Sequence, residues 1–134
     1  MKALTFLKII TVLNVLVSTG FSVAGMLSPF SILPANITTD KAIIVFALYA
    51  GARTIPIVAL TIMSIFSKYW NAFITLSVLA GLMQFLDGFV GIYEQDPSKA
   101  AGPFIVATTQ FVAIYLAVRN GYKINNQINK DNIA

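Results

Sequence analysis

The chain has neither cysteine nor histidine. Without cysteine there is no disulfide, no thiol redox chemistry and no thiolate-held zinc. Without histidine there is no imidazole ligand for haem and no histidine general base. Charge is also scarce. Only 10% of residues are Asp, Glu, Lys or Arg, against about 25% in soluble domains. Hydrophobic residues make up 57%, and the mean hydropathy is +0.81. A single compact unit of 134 residues cannot hide that much apolar surface from water, so lipid is the expected solvent. The net charge of +4 comes from scattered residues. No basic face with interleaved aromatics is present, which excludes nucleic acid as a partner. No cofactor is expected.

Four apolar runs are present, over about residues 4–27, 41–66, 69–93 and 97–119, followed by a polar tail over 120–134. About 20 helical residues at 1.5 Å each cross a hydrocarbon layer of roughly 30 Å. None of the runs alternates with period 2, which argues against a closed barrel, the other spanning structure. The expected fold is therefore all-α: an integral membrane four-helix bundle of antiparallel, up-down topology with helix two kinked at Pro56. The first run has a competing reading. Lys2 to Lys8, then Ile9 to Val17, then the small residues Ser18 to Gly25, fit a secretory signal peptide. The apolar run continues to Met26 and Leu27, which favours a membrane helix.

Ser28, Pro29, Ser31, Pro34 and Asn36 mark a loop over 28–40, with Thr38, Thr39 or Asp40 as candidate caps of helix two. Asn36-Ile37-Thr38 fits a glycosylation sequon. Ser67-Lys68 reads as a tight connection, and Tyr69 and Trp70 sit like an interfacial aromatic belt. Asp96 and Pro97 read as N-cap and first residue of helix four, whose first turns Pro103 would bend. The Asn-rich tail is expected to fray. Lys2, Lys8, Lys68, Arg119, Lys123 and Lys130 fall on one side, and only Lys41 and Lys99 on the other. That asymmetry predicts both termini on the cytoplasmic side, in a bacterial inner membrane. Lys8, one turn inside, can snorkel.

The polar residues within the runs carry whatever function the sequence discloses. Arg53 lies near the middle of helix two, where an arginine costs at least about 2.5–3.5 kcal/mol. Asp87 is the other charge within a run. Measured by helical rise, the two differ in depth by about 9 Å, so a direct or bridged pair is expected. A buried ion pair that only fixes packing is the competing reading. Ser77, Ala80, Gln84, Asp87 and Gly91 recur at 3-4 spacing, as do Thr11, Asn14, Ser18 and Gly25. Such small and polar stripes suit helix contacts in lipid. Tyr49 lies one turn before Arg53, and Gln110, beside Thr108 and Thr109, is the matching residue of helix four. Pro56 frees the carbonyl of Ala52 next to Arg53. These features outline a candidate ligand-binding polar cavity of Asn14, Tyr49, Arg53, Gln84, Asp87 and Gln110, with Tyr93 and Glu94 at its rim; an ordinary proline kink with internal polar packing is the alternative. The pairs Gly20/Ala24, Ala47/Gly51 and Ser77/Gly81 have small-xxx-small spacing, which serves packing within the bundle or between copies.

Gly51-Ala52-Arg53 on a kinked second helix and the Asp87-Gly88 pair near the end of a third resemble the DoxX-like group of small bacterial membrane proteins, over about residues 45 to 119. The resemblance implies a four-helix fold, a lipid-like ligand and an accessory role in quinone-linked complexes. It carries over no active site. Three functions are weighed. The leading one is a binding or accessory membrane protein that holds an amphipathic molecule, whose carbonyl, carboxylate or phosphate an Arg fork suits. The second is a small homo-oligomeric transporter, although helix one offers Asn14 where such a carrier needs a carboxylate at the membrane centre. The third is an intramembrane proton-transfer enzyme with Asp87 or Glu94 as base and Arg53 or Tyr49 as electrophile. Nothing in the sequence requires the third.

Overall fold

The computed structural model describes residues 2–29, 41–67 and 69–131, with side chains to residue 121. It holds four helices: α1 (Lys2–Leu27), α2 (Lys41–Phe66), α3 (Trp70–Tyr93) and α4 (Pro97–Asp131). There is no strand among the described residues. All four helices are long and apolar enough to cross a membrane, α4 over Pro97–Gly121. Pro34, the Asn36–Thr38 sequon, the candidate caps Thr38, Thr39 and Asp40, and Lys68 lie outside the described residues.

Helices are what these residues must form in lipid, because a helix satisfies its backbone within one segment. The hydroxyl side chains follow the same rule. Thr19 donates to the Val15 carbonyl at 2.7 Å, Thr54 to Ala50 at 3.0 Å, Thr61 to Ile57 at 2.7 Å and Thr109 to Ile105 at 2.8 Å. Each hydroxyl is thereby satisfied without water. Pro56 lies inside α2, where it has no N–H to donate to the carbonyl of Ala52.

The helix ends agree with the sequence to within one or two residues, the usual ambiguity, except that α4 continues past Arg119 to Asp131. The segment holds no proline, and its single glycine, Gly121, costs only about 1 kcal/mol. Once a helix is nucleated, each further residue gains one hydrogen bond for one residue fixed.

The α3–α4 connection is a compact capped turn. At the end of α3, the Gln95 amide donates to Ile92 at 3.0 Å and the Asp96 amide to Gly91 at 3.1 Å. With Gln95 in the left-handed region at φ 57, this is a Schellman motif. Asp96 then caps α4. Its Oδ1 accepts from the Ser98 amide at 3.0 Å, the Ser98 hydroxyl at 2.6 Å and the Lys99 amide at 3.2 Å. Lys99 reaches back to Glu94 at 2.6 Å. Gly91 makes the close approach possible: a Cβ there would meet the backbone of Lys99 and Ala100.

Further along the hairpin, Phe85, Phe89 and Phe104 form an edge-to-face trio with centroids 5.2 to 5.6 Å apart. Small residues line the rest of the α4 interior, with Ala107, Ala113 and Ala117 buried. At the other end, Leu7, Ile65, Phe73, Ala113 and Ala117 make one apolar cluster. Among the described residues α1, α3 and α4 all touch one another, whereas α2 touches α1 and α3 but not α4. Only Gly51, Thr61, Ser64 and Ile65 of α2 are buried. α2 is thus the least buried of the four helices, and it packs mainly against α1.

Two predictions come from the hairpin. Gly91→Ala should lower the unfolding midpoint in detergent, by an overpacking cost of about 1–3 kcal/mol. Gly102→Ala, where nothing lies within 4 Å of the new Cβ, should instead gain about 0.5–1 kcal/mol. Equal responses at the two sites would refute backbone contact at Gly91. The second concerns acid. The Ser98 hydroxyl, then the Lys99 amide, hold the Asp96 carboxyl below its ordinary value of 3.8. A depressed carboxyl stabilises the fold above its unfolded pKa, and this is lost as pH falls through the lower folded value. Asp96→Asn should therefore show a smaller acid loss of thermal stability below about pH 3.8 than the unaltered chain.

Candidate functional site

The interior polar residues form one connected network across α1, α3 and α4. The Gln110 amide donates to the Thr11 hydroxyl at 2.9 Å, and Thr11 bonds Ser77 at 3.3 Å. Asn14 donates to the Gln110 carbonyl oxygen at 3.5 Å, Ser18 to Asn14 at 3.5 Å, and Gln84 to Ser18 at 3.0 Å. The two 3.5 Å links are at the limit of useful geometry, and the 2.9 and 3.0 Å links are ordinary bonds. Thr11, Asn14, Ser77 and Gln110 are fully buried. No buried side-chain nitrogen or oxygen among the described residues lacks a partner.

Three of the six expected cavity residues therefore meet: Asn14, Gln84 and Gln110. The other three do not join them. Tyr49 is 62% exposed, and Arg53 and Asp87 are also exposed. No direct ion pair joins Arg53 to Asp87; the ion pair among the described residues is Lys99–Glu94. The physical reason lies in how α2 packs. In the half that starts at Lys41 its one buried residue is Gly51, and a Cβ there would strike Met26 of α1. Arg53 is two residues further on, about 200° around the helix, so it faces away from α1. Glu94, expected at the rim, is engaged by Lys99, and Tyr93 is 89% exposed.

Thr11, Ser18 and Ser77 belong to the network without being among the candidate cavity residues. Their signal is the 3-4 spacing they share with Asn14 and Gln84. The network is neutral throughout, so its chemistry is hydrogen bonding alone. Arg53 has the opposite character. Twelve residues beyond Lys41 and thirteen before Phe66 in α2, it lies at mid-helix on an exposed face. Beside it, Val45, Leu48, Tyr49 and Ala52 line an open groove, and a second groove lies at Phe104, Ile105, Thr108 and Thr109 on α4. No group of three or more acidic side chains that could hold a metal ion occurs among the described residues.

No family model, curated protein or solved structure matches the chain.

The network makes its own prediction. Thr11→Val and Gln110→Leu each break the 2.9 Å bond, so their stability losses should not add. A coupling energy of about 0.6 kcal/mol, and no more than about 1.7, is expected from unfolding of the singles and the double in detergent. Strict additivity would mean the bond contributes nothing.

Proposed function

We propose that this chain is an accessory membrane protein that acts by lateral association through α2, and that its interior polar network is packing glue. The observation that carries this reading is Arg53: a cation at mid-helix, on the exposed face of the least buried helix, where hydrocarbon would otherwise surround it. A group outside the described chain that meets this charge would recover the cost. The topology belongs to the same proposal. The short α2–α3 and α3–α4 connections favour antiparallel neighbours in a four-helix bundle, kinked at Pro56. The Lys and Arg distribution favours both termini in the cytoplasm of a bacterium, with the helices in its inner membrane. The likeness to the DoxX-like group agrees with an accessory role.

A second reading rests on the groove of Val45, Leu48, Tyr49 and Ala52 beside Arg53: an amphipathic molecule, quinone-like or a lipid, lies along α2 with its polar head on the guanidinium. The carrier and proton-transfer readings gain less, because the buried network contains no carboxylate.

Native mass spectrometry in mild detergent separates the first two. Lateral association predicts a species heavier than the 14.5 kDa monomer by at least one protein mass, which Arg53→Ala reduces to the monomer. Amphiphile binding predicts a monomer carrying a small adduct that Arg53→Ala removes. A bare monomer for the unaltered chain would sink both.

A further inference from the structure

The two ends of the molecule hold their charges differently. Leu7 of α1, Ile65 of α2, Phe73 of α3 and Ala113 and Ala117 of α4 share one apolar cluster. That cluster brings together the start of α1, the end of α2, the start of α3 and the last spanning turns of α4. Lys2, Lys8 and Arg119 lie at this end. At the other end, Lys99 is held by Glu94 at 2.6 Å, and Asp96 is engaged by the Ser98 hydroxyl and the Lys99 amide. Lys2, Lys8 and Arg119 have no carboxylate partner among the described residues. No aspartate or glutamate occurs in residues 2–10, 60–76 or 110–121, the stretches that form this end. The next carboxylate along α4 is Asp131. It lies about 18 Å beyond Arg119 by helical rise, well past the Debye length of about 8 Å in physiological salt.

Helical rise also gives the depth of each cation relative to the cluster. Lys8 is next to Leu7. Arg119 is about 3 Å further out than Ala117, and Lys2 about 7.5 Å further out than Leu7. The three cations therefore span about 7.5 Å of depth, close to the roughly 5–7.5 Å of headgroup layer on each side of the hydrocarbon. Trp70 lies about 4.5 Å further out than Phe73, within the same layer. It is 36% exposed and Tyr69 is 69% exposed, as aromatics at a membrane interface are. Lys2 and Arg119 are exposed, and Lys8 is half-buried. A lysine so placed lays its stem along apolar neighbours and keeps its amine at the interface.

We propose that this end of the molecule binds the phosphate of anionic lipids, with Lys2, Lys8 and Arg119 as its cations. The proposal is independent of association through α2. Three arguments favour a lipid phosphate. First, lipid headgroups occupy the layer that the three cations span. Second, Lys8 lies beside the apolar cluster, at a depth that a lipid phosphate reaches and an acidic protein surface outside the membrane does not. Third, the end carries cations without carboxylates, so a lipid of net negative charge gains from each of them, whereas the choline of a zwitterionic lipid cancels much of the attraction. The Arg119 guanidinium offers phosphate oxygens a planar fork, and the two lysines act as point charges.

Lipid selectivity tests this. The full chain in mild detergent is mixed with equal amounts of phosphatidylglycerol and phosphatidylcholine of the same acyl chains. The lipid that stays bound is counted by native mass spectrometry. Phosphatidylglycerol should be retained in excess, and the excess should shrink as salt rises. Lys2→Gln, Lys8→Gln and Arg119→Gln should each cut it, by up to about fivefold per charge. Lys41→Gln removes the same charge at the far end of α2, about 36 Å from Ile65, and should leave the excess unchanged. Equal retention of the two lipids, or an equal loss in Lys41→Gln, would overturn the proposal. Lys8→Arg and Arg119→Lys keep the charge and should keep the excess. A loss in these as well would show that packing and not charge sets the preference, and would overturn it too. Inorganic phosphate, compared with chloride at the same ionic strength, separates the sources of phosphate. Equal effects of the two salts support the lipid. Displacement of phosphatidylglycerol by phosphate alone would make this a site for the free ion, and the lipid assignment would fall.

Discussion

In hydrocarbon a hydroxyl or amide has no water to fall back on, and that constraint governs where each polar side chain of this protein lies. Gln110 is the group on which the interior turns. It gives its amide to Thr11 and its carbonyl oxygen to Asn14, so one α4 side chain binds α1 at two successive turns. Thr11 extends the chain of bonds to Ser77, and Ser18 extends it to Gln84, both on α3. An apolar core in lipid has no hydrophobic force to select one packing over another. A connected set of hydrogen bonds supplies that selection, because sliding any of the three helices breaks several bonds together.

The hairpin of α3 and α4 makes those bonds possible. Gln84 and Gln110 can flank α1 only if their helices run close together, and small residues set that spacing. Gly91 lets α3 meet the backbone of α4 directly, and Gly88 and Gly81 admit Phe104 and Phe111. The Schellman turn and the Asp96 cap fix where α4 begins, and so fix the register of every later residue on it. Gln95 holds the left-handed position where glycine is usual, at a cost of about 1 kcal/mol. The capping bonds of the turn offset it.

Composition and run length make the four helices legible, because a membrane-spanning length of apolar residues has few other solutions. The α3 and α1 stripes are legible for a similar reason: 3-4 spacing places Thr11, Asn14 and Ser18 on one face whatever that face meets. Spacing does not say which helix the face meets. For that reason it groups Arg53 and Tyr49 with Asn14 and Gln84, although α2 turns them to the outside. A membrane protein inverts the usual inference from charge to burial: an arginine in an apolar helix signals a need for a partner, but not that the partner is in the same chain. The helical end of α4 is illegible on different grounds, since asparagine-rich composition lowers helix propensity without stopping a helix that is already formed.

The division between neutral polar groups inside and charged groups outside has a physical logic of its own. A neutral network keeps its hydrogen bonds over a wide range of pH and needs no counter-charge, so it suits a contact that must never open. A charge at mid-membrane is different: its cost is several kcal/mol when bare and falls sharply when an opposite charge arrives. Such a group gives little to the isolated chain and a large difference in energy between the separate and the assembled states. Arg53 on α2 and Asp87 on α3 are both exposed, outside the network. Thr11, Asn14, Ser77 and Gln110 occupy the contacts where a charge would only weaken the fold.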